Sequence, residues 1–579
     1  MTQSIPRHHD EGANRRLLLV WLGALAIIIA TFIAYLPALS AGYIWDDDDY
    51  VTENELLVGM EGLHYIWLPE PIEIEEKRPP RRTAQYYPVV FTTFWVEYQL
   101  WGLDPFGYHL INVLLHIANA FLLWRILVRL KFPGAGIGAA LVAAVFALHP
   151  VHVESVAWIT ERKNVLSGFL YLASALMYLR FETERDDIAR EKDKQGIWGW
   201  YGASLALFAL ALLSKSVTCS LPAALILIML YQRRPMNVKR LLPLAPMFIL
   251  GLLAAMHTAH IEREHVGAEG IEFALSWVDR LFIASKALLF YPGKIIWPHP
   301  LIFIYPRWET GIASLTNYLA VFVVAGLGIF AIWLYLKGRR GPFLALAFFA
   351  GTVFPAIGFF NVYPHIFSFV ADHFQYLASI GVIALLIGGV FSLFPSRGGL
   401  ITKLILVCLP VLVVLTFRQG KIYENEEVLW RATIERNPDS WMSYNNLGHI
   451  LLDANKPEEA ETFLRQCLDL KPDHFNAMSN LAEALRRQKR DSEALFAINQ
   501  AIDLGDGLVE SGRRPSRAFL AKEYHQLGLI LMAIKHARQA ERAYVTSLEL
   551  EPDRPPVNFS YAQLLMEQER FEEAIEHFR

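Results

Sequence analysis

Cysteine and charge are both scarce in this sequence. Only three cysteines occur in 579 residues, so no disulfide framework is expected. Charged residues make up 19% of the chain, and the net charge is −4. Hydrophobic residues make up 54%, and the mean hydropathy is +0.29. This composition indicates a polytopic membrane protein rather than a soluble one, and we expect no nucleic-acid partner.

The apolar character is confined to the first part of the chain. Long apolar runs dominate before about Arg418, and the sequence then becomes polar, charged and helical in pattern. We therefore predict an all-α protein with a membrane domain at 1–418, which includes an outer loop at 41–107, and a soluble domain at 419–579. The first apolar run, 17–39, is too long for a signal-peptide core and lacks a convincing cleavage site, so we interpret it as a retained span.

Eleven apolar runs are candidates for membrane-spanning helices, each of which needs about 20 apolar residues. They are roughly 17–39, 108–130, 135–150, 165–181, 198–214, 216–232, 241–257, 311–336, 342–360, 374–394 and 400–417. A further segment, roughly 278–304, is interrupted by "YPGK" and "WPHP". We expect that segment to be interfacial or re-entrant.

Lysine and arginine indicate which side of the membrane each connection faces. They precede the first span and gather in alternate connections, for example at 125–131, 180–194, 233–240, 337–340 and 397–403. Cytoplasmic loops carry such an excess, so this side is predicted to be cytoplasmic. With an odd number of spans, the loop after the first span and the polar tail both lie on the non-cytoplasmic side.

The tail repeats at an interval of about 34 residues, which is typical of tetratricopeptide repeats. The predicted units are about 441–474, 475–508, 521–554 and 555–579, with an insertion at 509–520. The first unit has Tyr444, Leu447, Gly448, Ala460 and Pro472 where this repeat requires aromatic, large, small, small and proline residues. Stacked repeats bury their apolar faces against one another and present a concave surface to peptides or proteins.

Three groups of ionisable residues lie at the predicted outer edge of the membrane, where unpaired charges are costly and usually mark a site. The groups are Asp46 to Asp49 in "YIWDDDDYVTENELL"; His149, His152, Glu154, Arg162 and Lys163 in "HPVHVESVAWITERKN"; and Lys215 in "LLSKS". Each also has a structural interpretation. In that interpretation the acidic run is a solvated loop and His149 binds a helix-end carbonyl. Arg162 and Lys163 are interfacial anchors, and the Lys215 side chain extends to water.

Together these groups suit a reaction in which a group is transferred to a hydroxyl and a phosphate leaves. Adjacent carboxylates repel, so at least one aspartate is expected to have a raised pKa and to act as a general base. Facing cations suit a departing phosphate. No cofactor is required by this chemistry, although a divalent cation held by the aspartates is an alternative. His149 and His152 lack a third ligand at zinc-site spacing, so zinc is a weak interpretation.

These motifs occur in the order found in a known family. The chain resembles the transmembrane and tetratricopeptide repeat O-mannosyltransferases and their bacterial relatives, in the GT-C glycosyltransferase superfamily. The matching pieces are "YIWDDDDYVTENELL", "LWGLDPFGYHLINVLLHIANAFLLW", "HPVHVESVAWITERKNVLSGFLYL", "LLSKS", "VADHFQYLASIG" and the repeats. The resemblance implies a GT-C-like membrane domain in a bacterial inner or cell membrane, with a polyprenyl-phosphate-linked sugar as donor and protein hydroxyls as acceptor.

The family's acidic motif falls on Tyr43, Asp46 and Asp47, and the resemblance implies that Asp46 or Asp47 supplies the base. The donor-binding positions fall on His149, His152, Glu154, Arg162, Lys215 and His373. Relatives have Glu-Arg where this chain has Asp372 and His373. His373 is then a weaker, pH-dependent substitute for a phosphate-contacting arginine.

Two functions from different classes fit the sequence. The first is a membrane glycosyltransferase that moves a sugar, mannose by the resemblance, to Ser/Thr hydroxyls of exported proteins recruited by the repeats. The alternative is a non-enzymatic membrane scaffold whose repeats assemble partner proteins. The ionisable groups favour the enzyme, because an anchor needs none of them. A transporter lacks support, since no paired spans are broken by Gly or Pro in matching halves.

Overall fold

The computed structural model describes residues 10–68, 85–191, 196–263, 270, 273–510 and 517–578. Within these ranges the chain is helical and forms no β-strand. Of the predicted features, residues 69–84 of the outer loop, 511–516 of the insertion, and the basic residues Lys192 and Lys194 lie outside them. The chain divides into two compact units, Met1–Asn425 and Glu426–Arg579.

The first unit ends at Asn425 rather than at the predicted residue 418. The final membrane helix continues to Gly420, and the turn Lys421–Tyr423 still belongs to this unit. The ring of Tyr423 lies 6.0 Å from that of Phe303, and the Gly42 amide donates a hydrogen bond to the Glu424 carbonyl at 2.9 Å.

The first unit has seventeen α-helices among its described residues. They are α1 Asp10–Ala34, α2 Leu36–Leu39, α3 Gly59–Trp67, α4 Pro88–Trp101, α5 Pro105–Arg129, α6 Ala135–Leu148, α7 Val153–Ala157, α8 Arg162–Glu191, α9 Ile197–Leu212, α10 Leu221–Tyr231, α11 Val238–Leu241, α12 Ala245–Ile261, α13 Trp277–Ile296, α14 Leu315–Leu336, α15 Arg340–Val353, α16 Ser379–Leu393 and α17 Gly398–Gly420.

Each of the eleven predicted spans overlaps one or two of these helices. Six helical segments of the described chain are long and apolar enough to cross a membrane: Leu17–Ala34, Pro105–Arg129, Ile159–Asp186, Val238–Ile261, Leu315–Leu336 and Pro395–Tyr423. The segments Gly136–Leu148 and Pro150–Ala157 pass the same test as a pair bent by 52°, and the four others are shorter apolar helices. The chain is therefore a multi-pass membrane protein.

The segment predicted to be interfacial or re-entrant forms helix α13. "YPGK" does not interrupt it, contrary to the prediction, because the helix continues through Pro292 to Ile296. Near its start, Arg280 donates to the Gly358 carbonyl at 3.0 Å, and near its end, the Ile295 carbonyl accepts a hydrogen bond from His149 at 2.8 Å. Helix α13 is not among the segments of the described chain that are long and apolar enough to cross a membrane.

Buried polar side chains fix the segment before α16 against the helices around it. The Tyr376 hydroxyl accepts a hydrogen bond from Asn119 at 2.8 Å and contacts the Nδ1 atom of His116 at 2.8 Å. Asn119 also donates to the Val165 carbonyl at 2.9 Å. All three side chains are buried, so these bonds are strong local constraints on how α5, α8 and residues 372–378 meet.

The second unit consists of nine helices in its described residues. They are α18 Glu426–Arg436, α19 Trp441–Asp453, α20 Pro457–Leu470, α21 Phe475–Arg487, α22 Asp491–Glu510, α23 Arg517–Ala533, α24 Ala537–Leu550, α25 Pro555–Glu567 and α26 Phe571–Phe578. From α19 onward they form four pairs that coincide with the four predicted repeats. Helix α18 is an additional helix that was not predicted, and it packs against α19.

Small residues allow close helix contact within the pairs, as the repeat pattern predicts. A Cβ atom at Gly448 would lie 2.5 Å from the Leu464 side chain, and one at Gly528 would lie 2.3 Å from the Tyr544 ring. Any larger residue at either position would separate the two helices of its repeat. The local sequence pattern therefore determines the packing of this unit.

Candidate functional site

The acidic run begins directly after a tryptophan in an unusual backbone conformation. Trp45 has a φ of 45°, which is in the left-handed region that non-glycine residues seldom adopt. Its ring stacks on Trp158 at 5.5 Å and meets Phe303 edge-on at 5.3 Å. Such conformations persist only where the surroundings hold them and are frequent at functional sites. The aromatic contacts therefore fix the direction in which the acidic run leaves the first span.

The four aspartates are not equivalent. Asp47 is fully buried, and one carboxylate oxygen accepts hydrogen bonds from the Thr160 amide and hydroxyl at 2.8 and 2.7 Å. Its other oxygen accepts from the Ile44 amide at 3.0 Å. The interpretation of the acidic run as a solvated loop is therefore wrong for Asp47. Its side chain joins the acidic loop to the start of α8.

Asp46 is half-buried and is the member of the run with a carboxylate available for chemistry. Within the described chain its carboxylate makes no hydrogen bond. Burial raises its pKa to about 6, Lys163 counteracts that rise, and the charges of Asp48 and Asp49 add to it. Burial likewise raises the pKa of Asp47 to about 7, although its three hydrogen bonds lower it. Asp48 and Asp49 are exposed.

A buried carboxylate, Glu161, holds two lysines at the site. Its oxygens lie 3.3 Å from the ammonium of Lys163 and 3.1 Å from that of Lys215. Asn164 also donates to it at 2.6 Å. The side chain of Glu161 is 2% exposed, whereas those of Lys163 and Lys215 are 10% and 17% exposed. One carboxylate between two ammonium groups leaves a net positive charge that suits an anionic ligand.

Tyrosine rings cover the Lys163 side chain. Its ammonium lies 4.9 Å from the ring centre of Tyr50 and 5.8 Å from that of Tyr87. It also donates to the Tyr50 hydroxyl at 3.4 Å. Cation–π contacts of this kind stabilise a partly desolvated ammonium group. Lys163, at the start of α8, is thus held against Tyr50 of the acidic loop and against Tyr87.

Arg162 is not arranged to contact a donor phosphate. Its guanidinium is fully buried and forms an ion pair with Glu97 on α4, through both of its terminal nitrogens. Its other hydrogen bonds go to Asn112, Thr93 and the Tyr108 carbonyl. All five donors are therefore used within the protein. The neighbouring Lys163, for which the sequence left an interfacial anchor as the alternative to a site residue, faces the site.

His149 and His152 also make contacts within the protein and are not placed to bind the sugar donor. His149 contacts the Ile295 carbonyl at 2.8 Å through Nε2, and its Nδ1 accepts from the Val151 amide at 3.3 Å. His152 contacts the Phe146 carbonyl at 2.8 Å and the Ser379 hydroxyl at 2.9 Å. Both nitrogens of each ring are engaged, so neither is placed to bind a ligand. His149 thus has the helix-end role that the sequence left open.

Glu154 and His373 form a pair beside Glu161. The Nδ1 atom of His373 lies 2.8 Å from one Glu154 oxygen, and its backbone amide donates to the other at 3.1 Å. The His373 carbonyl accepts from Asn164 at 2.9 Å, which connects this pair to the lysine cluster. The neighbouring Asp372 is buried and accepts a hydrogen bond from the Tyr305 hydroxyl at 3.0 Å. His373 thus lies near the cations, whereas Asp372 is enclosed.

The described part of the chain contains no group of three or more His, Cys, Asp and Glu side chains arranged to hold a metal ion. Asp47, one of the proposed ligands, already accepts three hydrogen bonds. The residues of the acidic run that are accessible to a cation are therefore Asp46, Asp48 and Asp49.

The second unit matches a family model throughout most of its length. A model described as tetratricopeptide repeat matches residues 442–506, and a second model with the same description matches residues 525–579. The second unit is a tetratricopeptide repeat domain. Among solved structures, MamA from Desulfovibrio magneticus RS-1 matches with a TM-score of 0.23 and 18% identity, covering 28% of this chain and 84% of that chain.

The chain is also similar to curated proteins that are named protein O-mannosyl-transferases. It is 27% identical over 259 residues to protein O-mannosyl-transferase Tmtc3 of Drosophila melanogaster, covering 41% of this chain and 27% of that protein. It is 22% identical over 484 residues to protein O-mannosyl-transferase TMTC3 of Homo sapiens, covering 76% of this chain and 50% of that protein. This chain is a relative of the protein O-mannosyl-transferases. It spans half or less of the length of these two relatives.

Proposed function

We propose that this chain is a membrane glycosyltransferase that moves a sugar from a polyprenyl-phosphate donor to Ser/Thr hydroxyls of exported proteins. The names of its relatives support mannose as the sugar. One observation carries the proposal. The half-buried carboxylate of Asp46, which accepts no hydrogen bond in the described chain, lies beside Lys163 and Lys215, the two lysines paired with Glu161. A base and a phosphate-binding group are the two parts that this reaction needs.

Asp46 is the base in this proposal. Its carboxylate takes the proton from the acceptor hydroxyl while that oxygen attacks the anomeric carbon of the sugar. The bond between that carbon and the phosphate oxygen breaks, and the phosphate leaves with the bonding electrons. Inversion at the anomeric carbon follows from attack opposite the leaving group. A pKa near 6 leaves Asp46 ionised at neutral pH yet more basic than an ordinary aspartate.

Lys163 and Lys215 bind the departing phosphate, and His373 assists them. Fixed positive charge stabilises a developing phosphate charge most strongly in a partly dry site. Glu161 keeps the two ammonium groups near each other when no donor is bound, since without it they would repel. Lys163 takes the place of Arg162, one of the donor-binding positions that the resemblance implies, because Arg162 has no remaining donor.

No divalent cation is required in this mechanism, since the lysines supply the charge that a metal ion would otherwise provide. The wild-type chain should therefore transfer sugar at the same rate in EDTA as in buffer containing Mg²⁺ or Mn²⁺. A rate that disappears in EDTA and returns with either ion would assign the exposed aspartates to a metal site.

The repeats recruit the acceptor protein on the same side as Asp46, the non-cytoplasmic face of a bacterial cell membrane. A Glu567→Cys variant without its native cysteines should react with an impermeant maleimide in intact spheroplasts. A Glu184→Cys variant, at the opposite end of α8 from Glu161, should react only after the membrane is opened. The reverse labelling pattern would contradict this arrangement.

The function itself is tested by transfer in a purified system. The chain in lipid nanodiscs is given polyprenyl-phosphate mannose and a Ser/Thr-rich peptide, and mass spectrometry measures addition of a hexose. The proposal predicts addition with this donor and none with a nucleotide sugar. Absence of addition, together with stable protein complexes formed on the repeats, would favour the alternative of a membrane-anchored scaffold.

A further inference from the structure

The concave side of the repeat domain contains a polar groove of about 290 Å³. The first helices of the first three repeats, α19, α21 and α23, line it together with the start of α25. Four of the lining side chains are basic, Arg486, Arg487, Lys522 and Arg554, and two are acidic, Asp453 and Glu483. Basic groups therefore outnumber acidic ones by two to one in a recess that is large enough for several side chains.

The two acidic residues of the groove already have cationic or histidine partners. Glu483 accepts hydrogen bonds from Arg486 at 2.8 Å and from Arg487 at 2.6 Å. Asp453 lies 3.4 Å from the Nδ1 atom of His449. Lys522, in contrast, makes no ion pair with any described residue, and its side chain is half-buried. An anionic ligand gains the most binding free energy where it pairs with a half-buried ammonium group that has no carboxylate partner.

The carboxylates near the groove neutralise only part of the excess charge, because Glu551, 2.6 Å from Arg554, is the partner of that arginine and not of Lys522. Burial raises the pKa of the nearby Glu523 to about 7, so this carboxyl group carries only part of its charge at neutral pH. His525, which lines the groove, has its pKa lowered to about 4 by burial and by repulsion from Arg554 and Arg486. That repulsion is a second sign that the groove has a positive potential.

Amide side chains at equivalent positions of neighbouring repeats also line the groove. Asn480 lies on α21 and Gln526 lies on α23, and each offers both a donor and an acceptor. Asn480 further connects to Asn445 of the preceding repeat at 3.3 Å. Groups of this kind spaced along a solenoid suit the backbone of an extended chain better than a single small ion.

We propose that this groove binds an extended, acidic polypeptide segment, with Lys522 as the main contact to its carboxylates. The site goes beyond sugar transfer, because the segment is held by the repeat domain through charge and backbone contacts. It binds whether or not the same segment carries the hydroxyl that receives the sugar. Proteins with clustered Asp and Glu are therefore the class of partner that the repeats select.

Fluorescence anisotropy with the full chain in detergent tests this proposal. The probe is a short fluorescein-labelled peptide of alternating Ser and Glu, and the comparison is the same peptide with Lys in place of Glu. The acidic peptide should bind, the basic one should not, and binding should weaken as salt rises. Equal binding of the two peptides, or binding of neither, would overturn the proposal.

Charge reversal in the groove sharpens the test. Lys522→Glu should weaken binding of the acidic peptide by about fivefold or more, and Lys522→Gln should weaken it less. The matched control is Arg538→Glu, an exposed position of α24 outside the groove, which should leave affinity unchanged. If Lys522→Glu unfolds, Lys522→Gln decides the matter, since wild-type affinity in that variant contradicts the assignment. Asp46→Asn should bind the peptide normally, which separates this site from catalysis.

Discussion

Charged side chains are used differently in the two units. At the site end of the membrane unit, the side chains of Arg162 and Glu97 are 0% and 5% exposed and form one enclosed ion pair. In the repeat unit, those of Arg490 and Glu493 are 37% and 54% exposed. A buried pair becomes costly when one member is lost, whereas an exposed pair is screened by water. The first kind maintains the fold around a site, and the second kind contributes mainly to solubility and recognition.

The largest expected effect on stability comes from breaking the buried pair. Arg162→Leu leaves the Glu97 carboxylate enclosed without a partner and should destabilise the folded chain by about 3–5 kcal/mol. The midpoint of thermal unfolding in detergent measures this change. Arg490→Leu is the matched control and should leave the midpoint unchanged.

A double variant distinguishes the charge from the packing of this region. Glu97→Leu with Arg162→Leu removes both charges, so it should be more stable than Arg162→Leu alone. Equal unfolding midpoints for Arg162→Leu and Arg490→Leu would show that losing one member of the buried pair costs no more stability than losing one member of the exposed pair.

The next largest effect concerns the lysine cluster. Lys215→Ala removes one of the two cations that face the departing phosphate, and should lower kcat by about tenfold to 100-fold and weaken donor binding. Lys215→Arg should retain part of the activity, since the charge survives with altered geometry. Transfer by Lys215→Ala at the wild-type rate, at both low and saturating donor, would place the phosphate elsewhere.

Asp47→Asn should affect stability more than its position in a loop suggests. Asparagine has only one acceptor oxygen. Its NH₂ group would therefore face either the Ile44 amide or the Thr160 donors, and two donors cannot form a hydrogen bond with each other. The expected cost is about 1–3 kcal/mol, measured by thermal unfolding. Transfer should slow because Asp46 is less well positioned, but its dependence on pH should be retained. An unfolding midpoint equal to that of the wild type would contradict the role assigned to Asp47.

The smallest predicted effect is a dependence of rate on pH. Asp46 must be ionised to accept a proton, so kcat/KM should fall as pH decreases below about 6. Above that pH the rate should level off. A profile without any acid limb would exclude Asp46 as the base.

The two units also differ in how far the sequence predicts them. The repeats were predicted closely because each packing contact, such as Gly448 against Leu464, recurs in a short local pattern. The apolar runs were predicted to be helices because such a run is itself the signal, and six of them, or seven with the bent pair, are long and apolar enough to cross a membrane. Helix α4 was not predicted, because its mixed sequence is too short for a span. Glu97, the ion-pair partner of Arg162, lies on that helix and was therefore not identified.

The site was predicted only in outline because its contacts join distant parts of the chain. Glu161 was not singled out, although "TERKN" shows an acid followed by two bases at the start of a helix. Its partner Lys215 lies 54 residues away, and no local pattern indicates that pairing. The chemistry of His149 and His152 suggested ligand binding, but the Ile295 carbonyl and the Ser379 hydroxyl that they contact lie 146 and 227 residues away in the sequence.

The central claim is that Asp46 is the catalytic base and that Asp47 positions it. The most direct test is the single-turnover rate of hexose transfer by Asp46→Asn at saturating donor, followed by mass spectrometry. We expect a loss on the order of 100-fold or more with an unfolding midpoint close to that of the wild type, because Asp46 makes no hydrogen bond that the change would remove. Transfer by Asp46→Asn at the wild-type rate would contradict the claim and would move the base to another carboxylate, with Glu154 the next to test.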